Sequence, residues 1–191
     1  MPGRQAQTIT PSTLRRMLTH ARHSSDPPHN RVIILLSVKA GLRACEIANL
    51  DWSMGLDAQG GVAEFLSIHD IIAKKGSGRR IPLHADLRQA LHALAGSRKP
   101  AGPVARSARG AAMRPNSIVN WFVALFAHLG VHGCSSHSGR RTFITTAARN
   151  VHRAGCSLRD VQLLAGHRSI ETTQRYIDGQ TNAQRKLVAL L

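Results

Sequence analysis

One tyrosine, two tryptophans and four phenylalanines make up all the large rings of this 191-residue chain. A core therefore has to come from Leu, Ile, Val and Ala. Acidic residues are equally scarce, 10 against 26 Lys and Arg, which leaves a formal charge of +16. An excess of that size points to a polyanionic partner, nucleic acid before membrane surface. The three cysteines, Cys45, Cys134 and Cys156, are an odd number without CxxC spacing. They supply neither a disulfide framework nor a zinc site and read as reduced thiols. The opening "MPGRQAQTITPS" lacks the apolar run of a signal peptide, and no stretch approaches the roughly 18 apolar residues of a membrane span. The expected location is the cytoplasm. The apolar share of 42% excludes a wholly disordered chain.

Order begins at "TITPSTLRRML", where Thr10 suits a helix cap and Pro11 a first helical position. "HSSDPPHN" (23–30) reads as a loop, and the apolar run 31–41 as a buried helix that Gly41 stops. "RACEIANL" follows as a short helix with Ala44, Ile47, Ala48 and Leu50 inward. The pattern then changes to glycine-bounded, β-branched runs. These predict a small antiparallel sheet with strands near 62–68, 70–74 and 79–83. Helix returns in "ADLRQALHALAG", and the basic, Pro- and Gly-rich residues 96–115 read as a long loop. "NSIVNWFVALFAHLG" carries Ile118, Phe122, Leu125, Phe126 and Leu129 at helical spacing, with Asn116 or Ser117 as cap and Gly130 as stop. Further helices are predicted over 139–150, from a Ser157 cap, from Ser169, and in the terminal "NAQRKLVALL". The fold class is mainly α with one small antiparallel sheet, in a single compact domain.

Four local features bear on chemistry. Arg43 and Glu46 stand three apart, so on a helix the carboxylate can fix the guanidinium; the same spacing suits an ordinary surface pair. In "AKKGSGRRIPL", Lys74 and Lys75 enter a Gly-Ser-Gly turn that Arg79 and Arg80 leave. An ammonium there can reach a phosphate or protonate a leaving oxygen, or simply face solvent. In "SSHSGRRTFIT", His137 and Arg140 can share one side at a helix start, where free N–H groups suit an anion. Last comes "GHRSIETTQRYI", with Tyr176 nine residues after His167. A phenol is a poor nucleophile at neutral pH unless a base or nearby positive charge assists it, and a ring packed on the core is the plain alternative.

The order Arg, Lys, His-x-x-Arg, His, Tyr, carried by "GLRACEIANLDW", "AKKGSGRRIPL", "HSGRRTFIT" and "LLAGHRSIETTQRYI", resembles the tyrosine recombinase (phage integrase) family from about residue 8 to the end. The resemblance implies the family's catalytic-domain fold and site-specific DNA recombination through a covalent 3′-phosphotyrosyl link. Tyr176 would be the nucleophile, while Arg43, Arg140 and His167 hold the phosphate. His137 occupies the family's acid/base position. Lys74 would protonate the leaving 5′ oxygen, with Lys75 beside it as the alternative. Glu46 matches an acidic position that supports the first arginine. Lys75, Arg79, Arg80 and Arg141 are expected to contact DNA. The family's strategy uses no metal and no cofactor, in keeping with a sequence that has neither a carboxylate cluster for Mg²⁺ nor a GxxxxGK[ST] loop.

Residues 1–9 read as a short extension and 10–191 as the catalytic domain, without the core-binding domain that family members commonly carry in front. Implied partners are double-stranded DNA with inverted-repeat recombination sites, a homotetramer on synapsed DNA, and accessory DNA-bending proteins. A type IB topoisomerase-like activity and a non-cutting DNA-binding regulator remain alternatives. "HSGRR" departs from the family in having Gly139 where a larger apolar residue is common, which is expected to loosen the helix start.

Overall fold

The computed structural model describes residues 6–73, 76–176 and 188–189. The chain divides into two compact units, Met1–Phe143 and Ile144–Leu191. No helix among the described residues is long and apolar enough to cross a membrane.

In the first unit, helix α1 spans Pro11–Arg22, and Thr10 Oγ1 accepts the Thr13 N–H at its start. Helix α2 spans Pro27–Lys39 and takes over half of the stretch expected to be loop. Asp26 accepts the His29 N–H, and Pro27 and Pro28 fit a first turn whose amides need no helical partner. Val32 through Leu36 are fully buried without a break, so α2 is enclosed on every side. It packs against α1, against the short helix α3 (Ala44–Ala48) and against α4 (Ala85–Ser97). Helix α5 (Pro115–His128) packs on α3 and buries Ile118, Phe122, Leu125 and Phe126. Pro115 at its first position moves the cap back to Arg114, ahead of the expected Asn116 or Ser117. Trp52 and Phe122 are the largest fully buried side chains, set among Ile, Leu and Met. Each such aliphatic chain contributes about 1.5–3 kcal/mol relative to exposure.

The sheet has two strands, β1 (Phe65–Ile68) and β2 (Arg79–Pro82), paired antiparallel with Leu66 opposite Ile81 and Ile68 opposite Arg79. The strand expected over 70–74 does not form in its described part. Residues 69–73 turn instead, with the Ile72 and Ala73 amides bonded to the His69 carbonyl and Ile71 90% exposed. Asp70 explains the change, because its carboxylate accepts the Gly78 N–H at 2.7 Å and closes the hairpin connection. Val62, expected to open the first strand, pairs locally with Leu56.

Residues 98–114 lack regular structure, as expected, but are well anchored. Val104 and Ala105 are buried, the Val104 N–H donates to the Leu50 carbonyl, and the Arg106 N–H donates to His29 Nε2 at 3.1 Å. Burial holds the His29 imidazole below its ordinary pKa, which favours the unprotonated nitrogen that this bond requires.

Helix α6 spans Ser138–Asn150. Its first residues approach α2 closely: a Cβ on Gly139 would lie 2.8 Å from Ser37 Cβ and 3.0 Å from its backbone carbon. Gly41, at φ +64°, would likewise drive a Cβ into the Phe143 ring. Gly139 therefore gives the first turn of α6 its close approach to α2. In the second unit, α7 (Leu158–Ala165) packs against α8 (Ile170–Gln174). Ser157 caps α7 as expected, its N–H and hydroxyl both bonded to Asp160. The terminal helix expected in "NAQRKLVALL" lies outside the described residues except for 188–189.

The Gly139 contact sets a stability expectation. Gly139→Ala should cost about 1–3 kcal/mol in urea unfolding, the usual penalty for overpacking. The same substitution made in a Ser37→Gly background should cost clearly less; equal costs in both backgrounds would show that the two backbones are not in tight contact.

Candidate active site

Gly41, Leu42 and Arg43 lead from α2 into α3, with Arg43 in extended conformation just before the helix. Glu46 in the first turn of α3 is fully buried, and its carboxylate accepts the Arg43 backbone N–H at 2.9 Å and Arg43 Nη1 at 2.8 Å. The i, i+3 pair anticipated in the sequence thus fixes both the main chain and the guanidinium of Arg43. A third group completes the network. Arg79 Nη1 and Nη2 each donate to a Glu46 oxygen at 3.0 Å, a bidentate pairing. Burial pushes the Glu46 carboxyl upward. The hydrogen bonds and charge of Arg79, with the Arg43 N–H and charge, outweigh burial and hold it below its ordinary value.

Arg79 was expected at the DNA, yet its side chain is 4% exposed and directed at Glu46. Strand alternation accounts for this, because Arg79 shares a face of β2 with buried Ile81, while Arg80 points outward. Arg80 is exposed and lies over the Phe65 ring, 4.5 Å from its centroid. Lys74 and Lys75 lie outside the described residues.

Arg140 sits in the first turn of α6 and is 4% exposed. Its Nη1 donates to the Gly41 carbonyl at 2.7 Å. The same turn that carries Arg43 therefore receives Arg140, and the Gly139–Ser37 approach brings α6 near enough for it. His137 stands just ahead of α6 with an exposed side chain, its N–H on Ser135 Oγ and its carbonyl on the Arg141 N–H. Arg141 is half-buried on the next position of the helix.

In the second unit, Gly166 ends α7 in the left-handed conformation, φ 61° and ψ 45°, and turns the chain sharply into His167. Gln162 grips that residue twice. Its carbonyl accepts the His167 N–H at 3.1 Å, and its Nε2 donates to the His167 carbonyl at 2.9 Å. Arg159 in turn donates to Gln162 Oε1. His167 Nδ1 is 3.0 Å from the hydroxyl of buried Thr173, which sets the ring orientation. The ring stacks on Tyr176 with centroids 5.6 Å apart and planes at 23°. Gln162 and Thr173 escaped sequence reasoning. Their available signal was a polar residue at a buried helical position, Gln162 beside Val161 and Thr173 facing inward on α8.

Two fixed guanidinium groups, with many N–H donors in planar arrays, suit the oxygens of a phosphate ester. A phenol held against an imidazole suits attack on a phosphorus atom.

Residues 7–183 match the model of the phage integrase family. Among curated proteins, the tyrosine recombinase XerC of Myxococcus xanthus is 29% identical over 158 residues, covering 77% of this chain and 49% of the relative. The chain thus spans about half the length of that relative. Among solved structures, the Tn1549 transposon integrase in complex with a circular intermediate DNA superposes with a TM-score of 0.76 at 18% identity. That match covers 100% of this chain and 67% of the other. A lambda integrase tetramer bound to a Holliday junction gives 0.67 at 17% identity, over 90% of this chain and 48% of the other. At these identities the structural likenesses are likenesses of fold.

The depressed Glu46 acidity gives a pH expectation. Its folded pKa lies below its unfolded one, so its contribution is present above the ordinary glutamate value of about 4.3 and is lost as pH falls through the folded value. Glu46→Gln should be less stable than the parent at pH 7 by on the order of 3 kcal/mol, since two guanidinium groups lose their counter-ion. In urea unfolding the gap should narrow as the pH drops below about 4.3. A gap that stays constant down to pH 3 would mean that Glu46 is not the charged hub.

Proposed function

The chain belongs to the phage integrase family, and we propose that it is a site-specific DNA recombinase that cuts and rejoins DNA through Tyr176. The observation that carries this reading is the chain's one tyrosine stacked on His167. The phenol oxygen attacks a backbone phosphorus, the P–O5′ bond breaks, and a 3′-phosphotyrosyl link and a free 5′ hydroxyl result. His137 takes the phenol proton, and Lys74 gives one to the leaving oxygen. Arg43, Arg140 and His167 bind the non-bridging oxygens, whose negative charge grows as phosphorus becomes five-coordinate. Rejoining reverses each step, with a 5′ hydroxyl as nucleophile. The phosphotyrosyl bond preserves the energy of the broken one, so no nucleotide cofactor enters.

The substrate is double-stranded DNA with inverted-repeat sites, and the +16 charge favours such a partner. Lys75, Arg80 and Arg141 are proposed to contact its backbone. The working assembly is a homotetramer on two synapsed sites, with accessory DNA-bending proteins. Residues 10–191 are proposed to form the catalytic domain.

Nicked duplexes drawn from the DNA flanking the gene test the reading. Cleavage a few nucleotides 5′ of the nick frees the short fragment that carries the new 5′ hydroxyl, and its loss traps the covalent complex. Wild-type protein should form a denaturant-stable adduct, Tyr176→Phe should form none, and Arg43→Ala or Arg140→Ala should slow its appearance about 10²–10³-fold. An adduct that persists in Tyr176→Phe would overturn the assignment, and tight binding without any adduct would mark a non-cutting regulator.

A further inference from the structure

Arg79 is too well engaged to be a DNA contact and too well placed to be inert. It leaves the inner face of β2, the strand that follows Lys74 and Lys75 in sequence, and occupies both oxygens of a fully buried carboxylate. The same carboxylate holds Arg43 by one side-chain bond, from Nη1, while Nη2 and Nε of Arg43 have no protein partner among the described residues. The charges of Arg43, Glu46 and Arg79 sum to one net positive. With Arg79 removed they would sum to zero. Arg43 would then be the buried carboxylate's counter-ion in this network, drawn toward both of its oxygens and away from any other anion.

We infer that Arg79 is a positioning residue: by taking both oxygens of Glu46, it keeps the Arg43 guanidinium fixed in one pose and electrically available to a phosphate. The inference rests on the reading of Arg43 as a phosphate ligand. It also makes β2 a mechanical link between the hairpin and the arginine turn, so that a shift of the strand changes how strongly Glu46 holds Arg43.

Two measurements on the full chain test this, and the first needs no DNA. Arginine side-chain NMR spectra, with Arg43 assigned by its loss in Arg43→Lys, report guanidinium rotation. The parent should give sharp, slowly rotating Nη signals for Arg43. Arg79→Met should shift or broaden them, and Arg79→Lys, which restores charge without the bidentate fork, should recover them in part. The second measurement is single-turnover cleavage of the nicked substrate at saturating protein. Arg79→Met should slow cleavage by about tenfold or more while DNA affinity stays within about threefold. The double variant Arg79→Met/Glu46→Gln, which removes the charge together with its counter-ion, should be faster than Arg79→Met. If Arg79→Met fails to fold, Arg79→Lys is compared with the parent instead: its Arg43 signals should stay partly shifted or broadened and its cleavage slower, and parent-like values for both would overturn the inference.

Unchanged Arg43 signals in Arg79→Met would overturn the inference, as would wild-type cleavage by that variant or a loss confined to DNA affinity. If the parent protein forms no adduct at any site while the Arg43 signals still respond to Arg79, the recombinase reading fails and the positioning role stands.

Discussion

The Glu46 carboxylate, buried between two guanidinium groups, is the interaction on which the rest of the first unit's site depends. Such a carboxylate would be costly alone, because removing a charge from water is not repaid without partners. Here Arg43 and Arg79 supply three side-chain hydrogen bonds, and the Arg43 amide supplies a fourth. The network ties the turn before α3 to strand β2, two elements far apart in sequence. It also leaves a net positive charge near the surface, which is the property a phosphate-binding site requires.

Backbone proximity does the complementary work for the second arginine. Gly41 and Gly139 lie where any side chain would collide with Phe143 or Ser37. Their absence of Cβ atoms lets the first turn of α6 approach the end of α2, close enough for Arg140 to reach the Gly41 carbonyl. Arg43 is held by charge and Arg140 by a neutral carbonyl, yet both are fixed to one short turn. In the second unit the same logic operates through amides and hydroxyls. Gln162 and Thr173 hold His167, and His167 stacks on Tyr176.

Much of this was legible in the sequence, since caps and apolar spacing are local. Thr10 and Ser157 cap as expected, and the inward residues of α5 follow their helical period through Phe126. The misreadings arose where one side chain reorganised a segment. Asp26 and two prolines started α2 early, and Asp70 converted an apolar run into a turn. The candidate site residues were visible as motif positions, but their structural partners were not. Arg79 looked like one more cation in a basic turn. Only the strand alternation with Ile81 places it inside, and the identity of its carboxylate partner, 33 residues away, is a tertiary fact. The Gly139 substitution looked like a weakness because its neighbour Ser37 belongs to another helix.

The central claim is that Tyr176 becomes bonded to the phosphate at the 3′ end that the break creates. Mass spectrometry of the nuclease-trimmed, protease-digested adduct tests it most directly, together with the chemistry of the released DNA end. The account expects a nucleotide linked through its 3′ phosphate to the peptide containing Tyr176, and a free 5′ hydroxyl on the departing strand. A phosphate bonded to any other residue, or a 5′-phosphotyrosyl linkage, would contradict it.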